Sequence, residues 1–196
     1  MSISLRKGQK ISLSKESAGL TAVLVGLGWD EAQQSEHGFK NRNPESIDCD
    51  ASAFLLQNGH LVARNDIVYF NNLVHKSESV RHMGDNTTGE GEGDDEQILI
   101  DLSRVPPEYD RIVIVVNIYQ ATQRHQHFGM IENAFIRVVD GKTNREILKY
   151  DLTENYSDCL AMVFGEVYRH GNEWKFNAVG QGTKDRSISE LAKRYM

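Results

Sequence analysis

The chain has 196 residues, 39% hydrophobic and 26% charged, enough to bury a core without disulfide staples. Its formal net charge of −6, with no basic cluster, argues against nucleic-acid binding. Two cysteines, Cys49 and Cys159, have neither metal nor redox spacing and read as structural thiols. The first residues lack an apolar signal region and no apolar run reaches membrane length, so a cytoplasmic protein without direct membrane insertion is expected.

Ile3–Leu5 and Lys10–Leu13 alternate apolar and polar residues around Lys7-Gly8, which predicts two short strands joined by a turn. Thr21 to Gly28 reads as a buried strand ending in Trp29-Asp30, and Glu31 to Ser46 as a long polar loop. In Ile47 to Leu56, Asp48, Asp50 and Ser52 alternate with Cys49, Ala51 and Ala53, so on a strand the first three share one face. That pattern suits either an exposed edge strand or a set of ligands, because buried carboxylates are costly unless something pairs them. Asn58-Gly59 is a hairpin signal between Ala53–Leu56 and Leu61–Ala63. Ile67–Phe70 is a further strand, and the polar run from Lys76 to Arg81 leads into the most unusual stretch of the chain.

Gly84 to Glu96 reads GDNTTGEGEGDDE: six carboxylates, no base, and glycines at 84, 89, 91 and 93. Crowded carboxylates repel one another unless a cation neutralises them. Glycine allows the backbone to curl and turn carbonyl groups inward. A hard cation such as calcium, which takes about 6–8 oxygen ligands, is the matching partner. With Asp85 as position one, Thr87, Gly89, Gly91 and Gly93 occupy alternate positions and Glu96 is position twelve, the footprint of an EF-hand loop. Glu90 stands where that motif has glycine, and Gln97–Leu102 alternates like a strand, so calcium-type coordination on a β scaffold is expected. A metal-free acidic loop is the plainer alternative. A phosphate-binding loop fails, since no Lys-Ser/Thr and no helix follow and the charge repels anions.

Beyond it, Ile98–Leu102 is a strand, Pro106-Pro107 a stop, and Arg111 to Tyr119 the best candidate for a central strand. His125 and His127 have zinc-like spacing but no third ligand nearby, which favours an exposed turn. Asn133–Val139 and Glu146–Leu152 form a hairpin around Asp140-Gly141. Leu160–Tyr168 and Glu173–Val179 flank Gly171-Asn172, with Trp174, Phe176 and Ala178 inward. Both Trp29 and Trp174 read as core. Ser187-Ile-Ser-Glu190 is a capping box opening a short amphipathic helix of Ile188, Leu191, Ala192 and Tyr195. Ten or so strands and one terminal helix predict an all-β, two-sheet β-sandwich with a short C-terminal helix, in a single domain over 1–196.

The chain resembles the TerD family of tellurium-resistance and general stress proteins. The likeness is carried by Lys7-Gly8-Gln9, Val25–Asp30, Asp48–Phe54, Gly84-Asp85-Asn86 through Gly93–Glu96, Phe128-Gly129, Asn133–Arg137, Tyr168–Gly171 and Glu173–Phe176. It spans nearly the whole chain. The resemblance implies a calcium-binding β-sandwich with two ions close together. Its implied ligands are Asp48, Asp50, Asp85, Asn86, the Gly89 and Gly91 carbonyls, Asp94, Asp95 and Glu96. It also implies a role in resistance to tellurite and other stresses, assembly with other stress-response proteins, related family members among them, near the membrane, and no catalytic activity. Two departures stand out: Gln181-Gly182 is followed by Thr183–Arg186 instead of the usual glycine-rich turn, and Cys49 replaces the middle residue of Asp-Leu-Asp.

An alternative reading of the same carboxylates is a two-metal phosphoester hydrolase, with His82 as base and Arg81 holding the anion. It lacks a nucleophile motif, and an oxygen-rich loop saturates calcium. Thiol chemistry on tellurite would need a reactive Cys49 or Cys159, and a buried thiol is inert.

Overall fold

The computed structural model describes residues 2–31, 46–84 and 93–196. Twelve strands among them are β1 Ile3–Leu5, β2 Lys10–Ser12, β3 Ala22–Glu31, β4 Cys49–Leu56, β5 Ile67–Val68 and β6 Val80–His82, then β7 Glu96–Asp101, β8 Arg111–Ile118, β9 Ile131–Asp140, β10 Glu146–Asp151, β11 Ala161–His170 and β12 Glu173–Thr183. They form two six-stranded sheets, ordered β1-β10-β9-β3-β7-β6 and β2-β12-β11-β8-β4-β5. This is the two-sheet sandwich expected from the alternating segments.

Strand periodicity divides the side chains between faces. Val23, Val25, Leu27 and Trp29 of β3 meet Cys49, Ala51, Ala53 and Leu55 of β4 in the main core between the sheets. Trp174, Phe176 and Ala178 point into the same layer. β8 lies between β4 and β11, the interior position its Ile/Val run predicts.

β4 is buried at every position. Its other face, with Phe54 and Leu56, joins Val113, Val115 and Val163 in a second core. The C-terminal helix Ile188–Ala192 covers that face with Leu191 and Ala192. Its cap is Ser187, whose Oγ accepts the Glu190 N–H at 3.2 Å. The Glu190 carboxylate reaches back one residue further than a capping box requires, to the Arg186 N–H at 2.8 Å.

Three expectations change. Ile3–Leu5 and Lys10–Ser12 are both strands, but not partners: β1 runs parallel to β10 in one sheet and β2 antiparallel to β12 in the other. The Asn58-Gly59 turn forms, with both residues at positive φ and Gln57 bridging His60. The arm beyond it does not pair as a strand, because Leu61 gives its N–H to the Tyr195 carbonyl at 2.6 Å; β4 pairs with β5 instead. The Asp50–Ser52 segment is not exposed: it pairs with β8 and is buried at every position, although β5 covers β4 only at Ala53 and Phe54. The loop from Glu31 to Ser46 falls almost wholly outside the described residues.

Candidate functional site

At one end of the sandwich the start of β4, the end of β3 and the start of β7 come together. Asp50, 5% exposed, lies opposite Asn117 of β8, whose Nδ2 donates to Asp50 Oδ2 at 3.3 Å. Asp48 precedes the strand, partly buried, and its carbonyl accepts the Tyr119 N–H. Glu96 opens β7 opposite Leu27 and is 2% exposed. β5 reaches only as far as Ala53 along β4; beyond it the Ala51 N–H donates to Glu96 Oε2. Asp95 gives its N–H to the Leu27 carbonyl at 2.7 Å and accepts the Trp29 N–H on Oδ2 at 2.8 Å.

Charge marks the convergence. The Cys49 thiol is pushed well up, first by burial and then by the charges of Glu96, Asp50, Asp48 and Asp95. The field of four carboxylates is therefore felt at one buried sulfur. Burial also raises the Asp95 carboxyl, against the Trp29 hydrogen bond, with Asp30 and Asp94 adding to the rise. This set is all oxygen and anionic, the donor chemistry of a hard divalent cation. Among the described residues no three His, Cys, Asp or Glu side chains form a ready metal cage. Asp85, Asn86, Gly89 and Gly91, the other ligands implied by resemblance, lie outside the described residues.

Asp94 is placed differently. Its side chain is fully buried on the outer face of the first sheet, with Arg137 Nε on Oδ1 at 2.6 Å and Arg137 Nη2 on Oδ2 at 3.0 Å. Gln97 Nε2 adds a third bond to Oδ2 at 2.9 Å. The carboxylate lies over Gly26, where any Cβ would overlap it.

His82 is 4% exposed, with Nε2 3.6 Å from Glu96 Oε2 and Nδ1 accepting the Gly84 N–H. Arg81 alternates to the exposed side. His125 is exposed at the end of a short helical turn, Ala121–Arg124, while His127 Nδ1 accepts the Gly129 N–H. Burial raises the Cys159 thiol as it does Cys49, so both stay protonated at neutral pH. A cleft of about 520 Å³ opens beside Asp95, lined by Trp29, Asp30, Asn133, Phe135 and Lys149.

A second polar cluster, at the opposite end, escaped the sequence reading. Asp66 is wholly buried, and its Oδ1 takes Tyr109 Oη at 2.8 Å, Lys76 Nζ at 2.9 Å and His75 Nε2 at 3.2 Å. His75 Nδ1 lies 2.6 Å from Ser77 Oγ, which lies 2.7 Å from Ser79 Oγ. Burial alone would raise the Asp66 carboxyl, but the bonds from Lys76, Tyr109 and His75 outweigh it and hold it below the usual range. Burial lowers His75 despite Asp66. A neutral ring donating from Nε2 to the carboxylate leaves Nδ1 to accept from Ser77. The alternation His75-x-Ser77-x-Ser79 was the available signal, but its partners Asp66 and Tyr109 are joined to it only by the fold.

The family model described as TerD domain matches residues 1–195. Stress response protein SCP2 of Bacillus subtilis (strain 168) is 49% identical over 200 residues, covering 100% of both chains. Tellurium resistance protein TerD of Serratia marcescens is 49% identical over 183 residues, covering 93% of this chain and 91% of its own. The crystal structure of a homologue of telluride resistance protein (TerD), SCO6318 from Streptomyces coelicolor A3(2), shares the fold, with a TM-score of 0.69 at 23% identity over 91% of this chain and 99% of that one. By family-model match and by full-length identity, this chain belongs to the TerD family of tellurium-resistance and general stress proteins.

Proposed function

We propose that this chain is a calcium-binding stress-response protein that works by binding other proteins and not by catalysis. The gathering of Asp48, Asp50, Asp95 and Glu96 at the end of the sandwich where β3, β4 and β7 meet, their charges all felt at Cys49, carries the reading. Neighbouring carboxylates repel one another, and a bound cation relieves that repulsion. Asp85, Asn86 and the Gly89 and Gly91 carbonyls of the acidic loop supply the remaining oxygens for two ions. The ions neutralise the loop and order it against the start of β4, and binding energy becomes folding energy.

The ordered loop and the neighbouring cleft then meet a partner, another stress-response protein of the cytoplasm or a related family member near the membrane. A buried His82 engaged with Glu96 makes a poor base for a bulky phosphoester, which weighs against the hydrolase reading. Calorimetric titration of calcium into metal-stripped protein tests the proposal, with Asp50→Asn and Asp85→Asn beside it. Two sites weakened by both changes are expected. Absence of binding, or equal preference for magnesium, overturns it.

A further inference from the structure

We propose that Asp94 and Arg137 are positioning residues: their ion pair on the outer face of the sheet, with the Asp94 carboxylate buried beneath a half-buried Arg137, sets the place of Asp95 and Glu96, and Asp94 itself does not touch the metal. The inference rests on the calcium reading above and assigns Asp94 a role apart from its neighbours.

Three consecutive acids go three ways. Asp94 lies on the outer face beside Gln97, Asp95 turns to the Trp29 N–H, and Glu96 enters between the sheets to reach Ala51. The outer face is prepared for the first of them. Arg137 of β9, Gly26 of β3 and Gln97 of β7 stand in one row across three strands. Glycine in the middle leaves a gap between the two longer side chains, and the Asp94 carboxylate fills it.

Three donors hold that carboxylate, two from one planar guanidinium. A paired, fully buried carboxylate has its charge cancelled where it stands, and turning it toward a cation would leave the guanidinium without its counter-charge. Arg137 also reaches Glu146 of β10 at 3.4 Å, which ties the pair to a fourth strand. Asp94 therefore anchors the chain where it enters β7, one residue before the Asp95 N–H bonds Leu27.

The two roles for Asp94 predict opposite signs. A ligand would be released by Arg137→Gln, and calcium would bind as tightly or tighter. An anchor would be lost, and affinity would fall by about tenfold or more, as outer-shell changes do. Arg137→Lys, which keeps a charge and one donor, should recover part of the loss. Asp94→Asn with Arg137→Gln should be no weaker than the worse single change. Amide exchange in calcium-free buffer gives a second readout: the Asp95 and Trp29 amides should exchange faster in Arg137→Gln, while Val115 in the middle of β8 stays protected and shows the fold intact.

Unchanged or tighter calcium binding in Arg137→Gln overturns the proposal. Should the unaltered protein bind no calcium, the metal reading fails on its own. Exchange then decides the anchor: faster Asp95 exchange upholds it and equal exchange overturns it. An Arg137→Gln protein that loses Val115 protection is replaced in both measurements by Arg137→Lys, and equal Asp95 exchange there also overturns it.

Discussion

Glu96 of β7 accepts the N–H of Ala51 of β4, so one acidic side chain joins the first sheet to the backbone of the second. Both residues are buried, 2% and 0% exposed. A charged acceptor at a buried amide is worth about 1.5–3 kcal/mol. Glu96→Ala removes it and leaves the Ala51 N–H without this acceptor. In metal-free urea unfolding we expect a loss in that range, and a smaller one for Glu96→Gln, whose amide oxygen still accepts. Equal stability of Glu96→Ala and the parent would show the bond to be of no consequence.

Gly26→Ala should destabilise by about 1–3 kcal/mol, the usual cost of overfilling a packed site. Its Cβ overlaps the Asp94 carboxylate, and the side chain must leave Arg137 to make room. The same substitution in an Asp94→Ala background should cost much less. A double-mutant cycle measures the coupling. Additive losses would mean that the clash lies elsewhere.

Acid should unsettle the Asp66–His75 end. His75 is held below its ordinary 6.5 by burial, so the unfolded chain takes up a proton that the folded chain refuses. Its stabilisation is complete above pH 6.5 and is lost as pH falls from there toward the folded value. Asp66, held below its ordinary 3.8, adds a second loss at lower pH, as pH falls through its own folded value. Stability should therefore drop below pH 6.5, by at most about 1.4 kcal/mol per pH unit for His75 alone. The charged and titratable groups around the ring are Asp66 and Tyr109 in contact with it, and Lys76 and Glu108 acting through their charge. Urea midpoints at pH 7.5 and 5.5 check this: His75→Gln should lose less between them than the parent, and equal slopes would refute it.

The helix over the second core should matter as much as any strand. Leu191 is fully buried against the outer face of β4 and β8. Leu191→Ala should cost about 2–5 kcal/mol, as core truncations of leucine do. Calorimetric melting measures it. A loss under about 0.5 kcal/mol, the range of surface changes, would mean that the helix merely rests there.

Much of the sandwich was legible because strands announce themselves twice, by alternation and by the turns that bound them. Glu173–Val179 puts Trp174, Phe176 and Ala178 inward in the sequence and in the structure. What alternation does not carry is partnership. Ile3–Leu5 and Lys10–Ser12 look like two arms of a hairpin, yet their hydrogen-bond partners lie some 140 and 160 residues onward. Asp50 and Asp48 stood out by their cost on a strand, and the structure gives Asp50 the Asn117 amide as a partner. Asp94 looks the same as Asp95 in sequence; only the register of Arg137, Gly26 and Gln97 separates them. Asp66 carried no signal, because its donors His75 and Lys76 lie in the next loop and Tyr109 43 residues onward, and only the fold brings them together.

The two N-terminal strands have a consequence for the order in which the protein can be completed. β1 closes an edge of one sheet on β10, and β2 closes an edge of the other on β12. A ribosome delivers those first twelve residues long before the strands that receive them. β1 has no strand to pair with until residues 148–150 are made, and β2 none until residues 175–177 are made. Residues 3–12 thus close one edge of each sheet, and a disturbance of that short segment reaches both sheets at once.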